Sequence, residues 1–320
     1  MALKDEGGGY VSVVGRVYVD HVFAGFTALP TLGTEVYGDA YSKSIGGGAA
    51  ITACWLGAMG RPVQLACVVG EADLQWFRTE VERVGVNTEL VASSRDNTGV
   101  TAAIVLDGDR EFFTYLGANR ELERQIHEHA RLSRLCASSH LHITAPLPPT
   151  TARMLIDCAH QAGGTVSLDV GYQPAWYKDQ ANLPTLQDVD LFFPNEVEAK
   201  LLGLSTPAGL QTWLASDSDL ATRAVRRWVV VKRGRAGAIA ASRDVYVAVE
   251  PPPTTNVDTT GAGDAFDAGF IDGFLRGGSA KDWLRRACVC GALSVTQLGG
   301  VAGAANEDKI NQVIESTYGI

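Results

Sequence analysis

Short apolar runs and longer amphipathic stretches take turns along this chain. The runs at 11–14, 63–69, 140–144, 165–170, 191–193 and 228–232 are rich in Val, Ile and Leu and too short for helices, so they predict strands. Between most of them lie stretches with helical spacing, such as 52–59, 74–84 and 151–162. Alternation of this kind predicts an α/β fold: a mainly parallel central sheet flanked by helices on both faces. Two segments break the rhythm. Residues 22–44 are rich in turn residues and aromatics, and 101–115 read as a hairpin around Asp107-Gly108-Asp109. Together they predict a small β lid over the sheet edge, with an ordinary edge hairpin as the alternative. Late in the chain, 237–241 and 244–249 pair around Ser242-Arg243, and Pro251-Pro252-Pro253 ends the pairing. Helices at 281–298 and 306–318 then pack on the sheet.

Composition narrows the function classes. A chain of 320 residues with 46% apolar residues can bury a sizeable core. Its formal net charge of −9 argues against a nucleic-acid partner, which needs a basic face. No stretch approaches the ~18 apolar residues of a membrane span. Residues 1–9 are charged and Gly-rich and lack an apolar signal core, which predicts a disordered leader on a cytoplasmic protein. The six cysteines (Cys54, Cys67, Cys136, Cys158, Cys288 and Cys290) are scattered among apolar neighbours, as buried free thiols are. His140 and His142 share a strand face, yet no third ligand accompanies them or the pair His127 and His129. A structural role is therefore expected, and no transition metal.

The stretch richest in chemistry is Asp258-Thr259-Thr260-Gly261-Ala262-Gly263-Asp264-Ala265-Phe266. Small residues feed a helix over 265–276, whose Phe266, Phe270 and Phe274 share one face. A helix start offers free N–H groups and a positive dipole end, hence an anion site. The backbone N–H groups of Gly261, Ala262 and Gly263 can serve it. A carboxylate at Asp264 would repel a bound phosphate, so its presence suggests work on a proton. An anion cradle beside a general base is the minimum apparatus for moving a phosphoryl group onto a hydroxyl. The competing reading is a Gly-rich helix cap with no ligand.

The nine-residue string resembles the second signature of the PfkB (ribokinase-like) carbohydrate kinases. Gly46-Gly47-Gly48-Ala49-Ala50 resembles the first, Asn195-Glu196-Val197-Glu198 an NxxE element, and 229–234 followed by Gly237 a nucleotide-side strand and turn. In order and spacing the resemblance spans some 280 residues, so 10–320 is expected to form one ribokinase-like kinase domain with lid segments at 22–44 and 101–115. It implies an ATP-dependent kinase acting on a hydroxyl of a sugar or sugar-like polyol. Asp264 would be the general base and Gly261, Ala262 and Gly263 the anion hole. ATP and Mg²⁺ would lie near Asn195, Glu198, Lys232, Gly234 and Gly237. The acceptor would lie near Asp20, Gly46, Gly47, Gly48, Ile51, Asn119 and Asp169. Asp258 and Thr260 would hold a monovalent cation, K⁺, unless they simply cap the helix. Asn195 and Glu198 likewise read as helix caps in their own right. A homodimer through the lid is expected.

The acceptor side departs from the family pattern. Ile51 stands where an Asn commonly follows the glycine-rich turn, 70–73 read Gly-Glu-Ala-Asp, and Gly171-Tyr172-Gln173 follow Asp169. These departures suggest ordinary chemistry on an unusual acceptor, with Ile51 helping to choose it. The rivals are a catalytically silent sugar or nucleotide sensor of the same fold and a nucleoside kinase. A dinucleotide-dependent dehydrogenase lacks support, because no GxGxxG follows the first strand.

Overall fold

The computed structural model describes residues 9–106, 109–215 and 227–319. The expected leader, apart from Gly9, and the turn at 107–108 lie outside them. Fourteen strands are present among the described residues. They are β1 (Val11–Gly15), β2 (Tyr18–Ala24), β3 (Ala40–Gly46), β4 (Val63–Gly70), β5 (Val86–Asn87), β6 (Val91–Ser94), β7 (Val100–Leu106) and β8 (Asp109–Tyr115), then β9 (His140–Thr144), β10 (Thr165–Leu168), β11 (Leu191–Phe192), β12 (Trp228–Lys232), β13 (Ala238–Ala241) and β14 (Tyr246–Val249).

The large sheet runs β14-β13-β12-β11-β10-β9-β1-β4-β5, with β6 also beside β4. From β12 to β5 every pairing is parallel, and the β12–β13 and β13–β14 pairings at the other edge are antiparallel. Both faces of the parallel part are buried, which is why its strands read as continuous apolar runs. Val13 of β1 faces one core with Val230, Trp55 and Phe270. Its neighbour Val14 faces the other with Leu141, Ile143, Val229 and Leu155. Helices Gly48–Ala58, Ala262–Arg276 and Ala280–Ser294 cover the first face, and helix Pro149–Gln161 lies on the second.

The segments that broke the alternation form a separate sheet, ordered β3-β2-β7-β8. It starts at Tyr18, four residues before the expected lid boundary, because β2 leaves β1 after a two-residue link. Residues 25–39 add no strand. The short strands β5 and β6 were not anticipated; each offers too few residues for a periodic signal.

Cys54, Cys67, Cys136, Cys288 and Cys290 are buried and Cys158 is half-buried, all as free thiols. The rings of His140 and His142 hydrogen-bond to the hydroxyls of Thr165 and Ser167 on β10. Burial outweighs the nearby Asp190 and Asp169 carboxylates and pushes the imidazoles of His140 and His142 down to about 3. No described helix is long and apolar enough to cross a membrane.

Candidate active site

The carboxyl ends of the parallel strands gather the polar residues. Thr144 ends β9, Asp169 follows β10, Asn195 and Glu198 follow β11, and Lys232 ends β12. In open parallel sheets this edge is where ligands bind, because loops there are free of the sheet ladder. Helix Ala262–Arg276 brings its N-terminus to the same edge, and the lid brings Asp20.

The helix begins at Ala262, three residues before the position its apolar spacing predicts, so Asp264 sits inside its first turn. Gly261 caps it in the left-handed region, at φ +73°. A Cβ at 261 would stand 2.7 Å from Cα of Gly300 and 2.9 Å from Cδ1 of Ile51, so only glycine fits there. Asp258 fixes this turn from both sides. Its Oδ1 accepts the Thr260 N–H and its Oδ2 the Gly299 N–H, each at 2.8 Å. The Ala262 N–H makes a long bond of 3.3 Å to the Thr259 carbonyl.

Asp264 is half-buried beside Gly48. A Cβ at 48 would lie 2.8 Å from its Oδ1 and 3.4 Å from Oγ1 of Thr144. Burial, then the nearby carboxylate of Asp169 and, further, that of Asp20, push the Asp264 carboxyl up to about 7; Lys232 opposes them. Asp20 is 4% exposed, beneath Gly46, where any Cβ would overlap its carboxyl. Burial and the charge of Asp258 raise Asp20 to about 7 as well, while the Thr101 hydroxyl hydrogen-bonds to it. Gly47 caps helix Gly48–Ala58 next to Arg16 and Val17.

Three buried hydroxyls near these carboxyls lack a partner: Ser44 of β3, Thr144 and Thr260. Ser44 shares the register position opposite Asp20, and Thr101 flanks Asp20 on the other side. Buried hydroxyls without hydrogen bonds are costly, so their clustering marks a place built for a polar ligand. Sequence reasoning missed Ser44, Thr101 and Thr144, since hydroxyl residues in strands carry no pattern of their own.

Several expected ligand residues are already engaged by the protein. Lys232 does not extend toward open space. Its ammonium donates to Oδ2 of Asp169 at 2.7 Å and to both carboxylate oxygens of Asp267 at 3.1 Å. Lys232, expected near the nucleotide, and Asp169, expected near the acceptor, are thus partners in a buried ion pair. The second oxygen of Asp169 takes the Gly171 N–H at 2.8 Å. The nearby ammonium holds Asp169 down at about 2 despite burial. Asp267, which no pattern singled out, is pushed well up by burial.

Asn119 spends its whole amide on the backbone, donating to the Val17 and Leu116 carbonyls and accepting the Val17 N–H. It stitches the β1–β2 link to the end of the lid, with both Nδ2 hydrogens engaged by backbone. Ile51 is 2% exposed, with its Cδ1 under Gly261 and Gly300. It packs the back of the catalytic turn instead of facing a sugar.

Asn195 and Glu198 form a closed capping box. Both Glu198 oxygens accept from Asn195, through its N–H at 2.8 Å and its Nδ2 at 2.7 Å, and Oδ1 of Asn195 accepts the Glu198 N–H at 2.9 Å. Glu198 is 1% exposed, and burial lifts it to about 7. That carboxyl does not fit as a direct Mg²⁺ ligand. Gly234 and Gly237 turn the chain from β12 into β13, both at positive φ.

A mainly parallel sheet with a β lid, a glycine-capped helix start and a desolvated carboxyl at one sheet edge suit a phosphotransferase acting on alcohol groups. The chain belongs to the pfkB family of carbohydrate kinases, which it matches over residues 10–307. It is 30% identical over 287 residues to the 2-dehydro-3-deoxygluconokinase of Bacillus subtilis, covering 84% of this chain and 86% of that one. It is also 30% identical over 258 residues to the ATP-dependent ribose-1-phosphate kinase of Halopiger xanaduensis, covering 80% and 82%. Among solved structures, Arabidopsis thaliana ribokinase complexed with ribose and ATP superposes with a TM-score of 0.81 at 23% identity, over 96% of this chain and 99% of that one. The protein is thus a carbohydrate kinase of the pfkB family with a ribokinase-like fold.

Proposed function

We propose that the protein transfers the γ-phosphoryl group of ATP to a hydroxyl of a sugar or sugar-like polyol, with Asp264 as the general base. The observation that carries this reading is the Asp264 carboxyl, raised to about 7 at the start of a helix whose cap admits no side chain. A base matched to neutral pH is the most effective one there. Asp264 accepts the proton of the attacking hydroxyl as its oxygen bonds to the γ-phosphorus and the bond to the bridging oxygen breaks. The N–H groups at Gly261, Ala262 and Gly263 face the charge that develops on the transferred group.

Asp20, Ser44, Thr101 and Thr144 supply acceptors and donors for acceptor hydroxyls, beside Gly46, Gly47 and Gly48. The nucleotide is placed over the β11 and β12 ends, near Asn195, Gly234 and Gly237. Asn195 and, through water, Glu198 would hold a nucleotide-bound Mg²⁺, which would supply charge neutralisation of the phosphates. The unpartnered Thr260 hydroxyl beside Asp258 fits a monovalent cation, which would steady the turn. The lid carries exposed aromatics, Tyr41, Phe112, Phe113 and Tyr115, which suit a homodimer through that sheet.

The test is ADP release from wild type and Asp264→Asn across ketohexoses, pentoses, inositols, sugar acids and nucleosides. Acceptor-dependent ADP from wild type alone is the expected result. Turnover by the variant within a few-fold of wild type would remove Asp264 from the mechanism, and ADP release by wild type with none of these acceptors would overturn the kinase reading.

A further inference from the structure

The ion cluster behind the catalytic turn is more elaborate than helix packing requires. An ammonium has three N–H donors. Those of Lys232 meet Oδ2 of Asp169 and the two oxygens of Asp267, so none is left for a phosphate. The side chains of Lys232 and Asp169 are 12% and 10% exposed, and that of Asp267 is fully buried. Buried ion pairs are poor sources of stability, because desolvation offsets their attraction. A cluster kept at that cost points to another use.

Its position indicates which. Asp267 lies three residues after Asp264 on the same helix, one turn further in. A Cβ at Gly263 would stand 3.3 Å from Nζ of Lys232, so the ammonium rests against the residue preceding the base. Asp169 belongs to the end of β10 and Lys232 to the end of β12, where its N–H also bonds the Pro194 carbonyl. One side chain therefore ties two strand ends to the first turns of the catalytic helix.

We infer that Lys232, clamped by Asp169 and Asp267, is a positioning residue for Asp264: it seats the catalytic turn on the sheet and sets the charge behind the base, and it does not bind the nucleotide. The inference rests on Asp264 being the base. The charged groups facing Asp264 are Asp169 from β10, Asp20 from the lid, Lys232 from β12 and Asp267 from its own helix. Of these Lys232 alone favours the ionised carboxylate. Removing its charge should leave Asp264 protonated to higher pH, whereas a strut with no electrical role would leave its titration where it was.

The experiment measures kcat, the KM for ATP and the acid limb of kcat/KM against pH, for wild type, Lys232→Met, Asp267→Asn and Asp264→Asn. Lys232→Met is expected to lower kcat about tenfold or more, leave the ATP KM within about threefold, and move the acid limb upward by about half a unit or more. Asp267→Asn keeps the shape of the clamp and leaves Lys232 paired with Asp169. It is expected to lower kcat, by misplacing the helix start, without moving the limb upward. A rise of about tenfold in ATP KM with kcat and limb unchanged in Lys232→Met would overturn the inference in favour of nucleotide binding. An unmoved limb would reduce the lysine to a strut. Should Lys232→Met fail to fold by circular dichroism, Asp267→Asn decides alone: unchanged kcat overturns the inference. Wild-type turnover in Asp264→Asn would instead sink the base assignment, which separates that failure from this one.

Discussion

Gly48 and Asp264 touch across the gap between two helix starts: a Cβ on residue 48 would sit 2.8 Å from Oδ1 of Asp264. The φ of Gly48 lies outside the left-handed region, so alanine suits its backbone. Gly48→Ala is therefore expected to push the base aside without unfolding the protein. Turnover should fall by about 10–100-fold, since a small misplacement of a reacting group is costly, while the melting temperature stays level or rises. Steady-state kinetics beside a thermal melt checks this; unchanged kcat would show that the carboxyl moves freely.

If Asp264 is the base, its raised carboxyl sets the pH dependence. kcat/KM should rise with pH through an apparent pKa of about 7 and level off above it. Stability should respond in the opposite sense. The folded pKa of Asp264 lies above its unfolded value of about 3.9, so its contribution is full below pH ~4 and is lost as pH rises through 7. The melting temperature of Asp264→Asn should then exceed that of wild type by a margin that widens between pH ~4 and ~7 and is constant above. A margin that ignores pH would show that the carboxyl is not perturbed.

Ile51 gives a prediction opposite to the one its sequence position suggests. An amide there would lie among Gly261, Gly300 and the apolar core, with nothing polar to meet. Ile51→Asn should cost about 2–5 kcal/mol of stability through lost burial and an unsatisfied amide. It should depress turnover of every acceptor alike. A selective gain with ribose or fructose would restore Ile51 to the acceptor site.

Asp258 and Thr260 predict an ion effect. Potassium should raise the rate over sodium, and excess chelator should abolish turnover by removing Mg²⁺. Rates equal in the two salts would assign Asp258 to capping alone, the role its two backbone hydrogen bonds already serve.

The lid predicts self-association. Phe113 is 65% exposed and Tyr41 57%. A Tyr41→Asp/Phe113→Asp variant should sediment as a smaller species than wild type while its kinase core melts normally. Wild type sedimenting as a monomer at micromolar concentration would remove the dimer.

The sequence by itself determined the sheet, because strands buried on both faces must be continuously apolar, and the runs ending in Thr144, Phe193 and Lys232 show it without neighbours. It also located the catalytic turn, since only small residues at 261–263 leave a helix start bare beside a carboxylate. Local patterns cannot report which polar group has already found a partner. Lys232 and Asn119 look available for ligands in the chain, yet one is held by Asp169 and Asp267, 63 and 35 residues away, and the other by Val17 across 102 residues. Ile51 looks like a substituted sugar contact until Gly261 and Gly300 close over it. The tertiary structure alone decided these roles, because hydrogen bonding and burial are settled between segments distant in the chain. The pKa of Asp264 belongs to the same class: its carboxyl is ordinary in sequence and is raised only where folding desolvates it and brings Asp169 and Asp20 near.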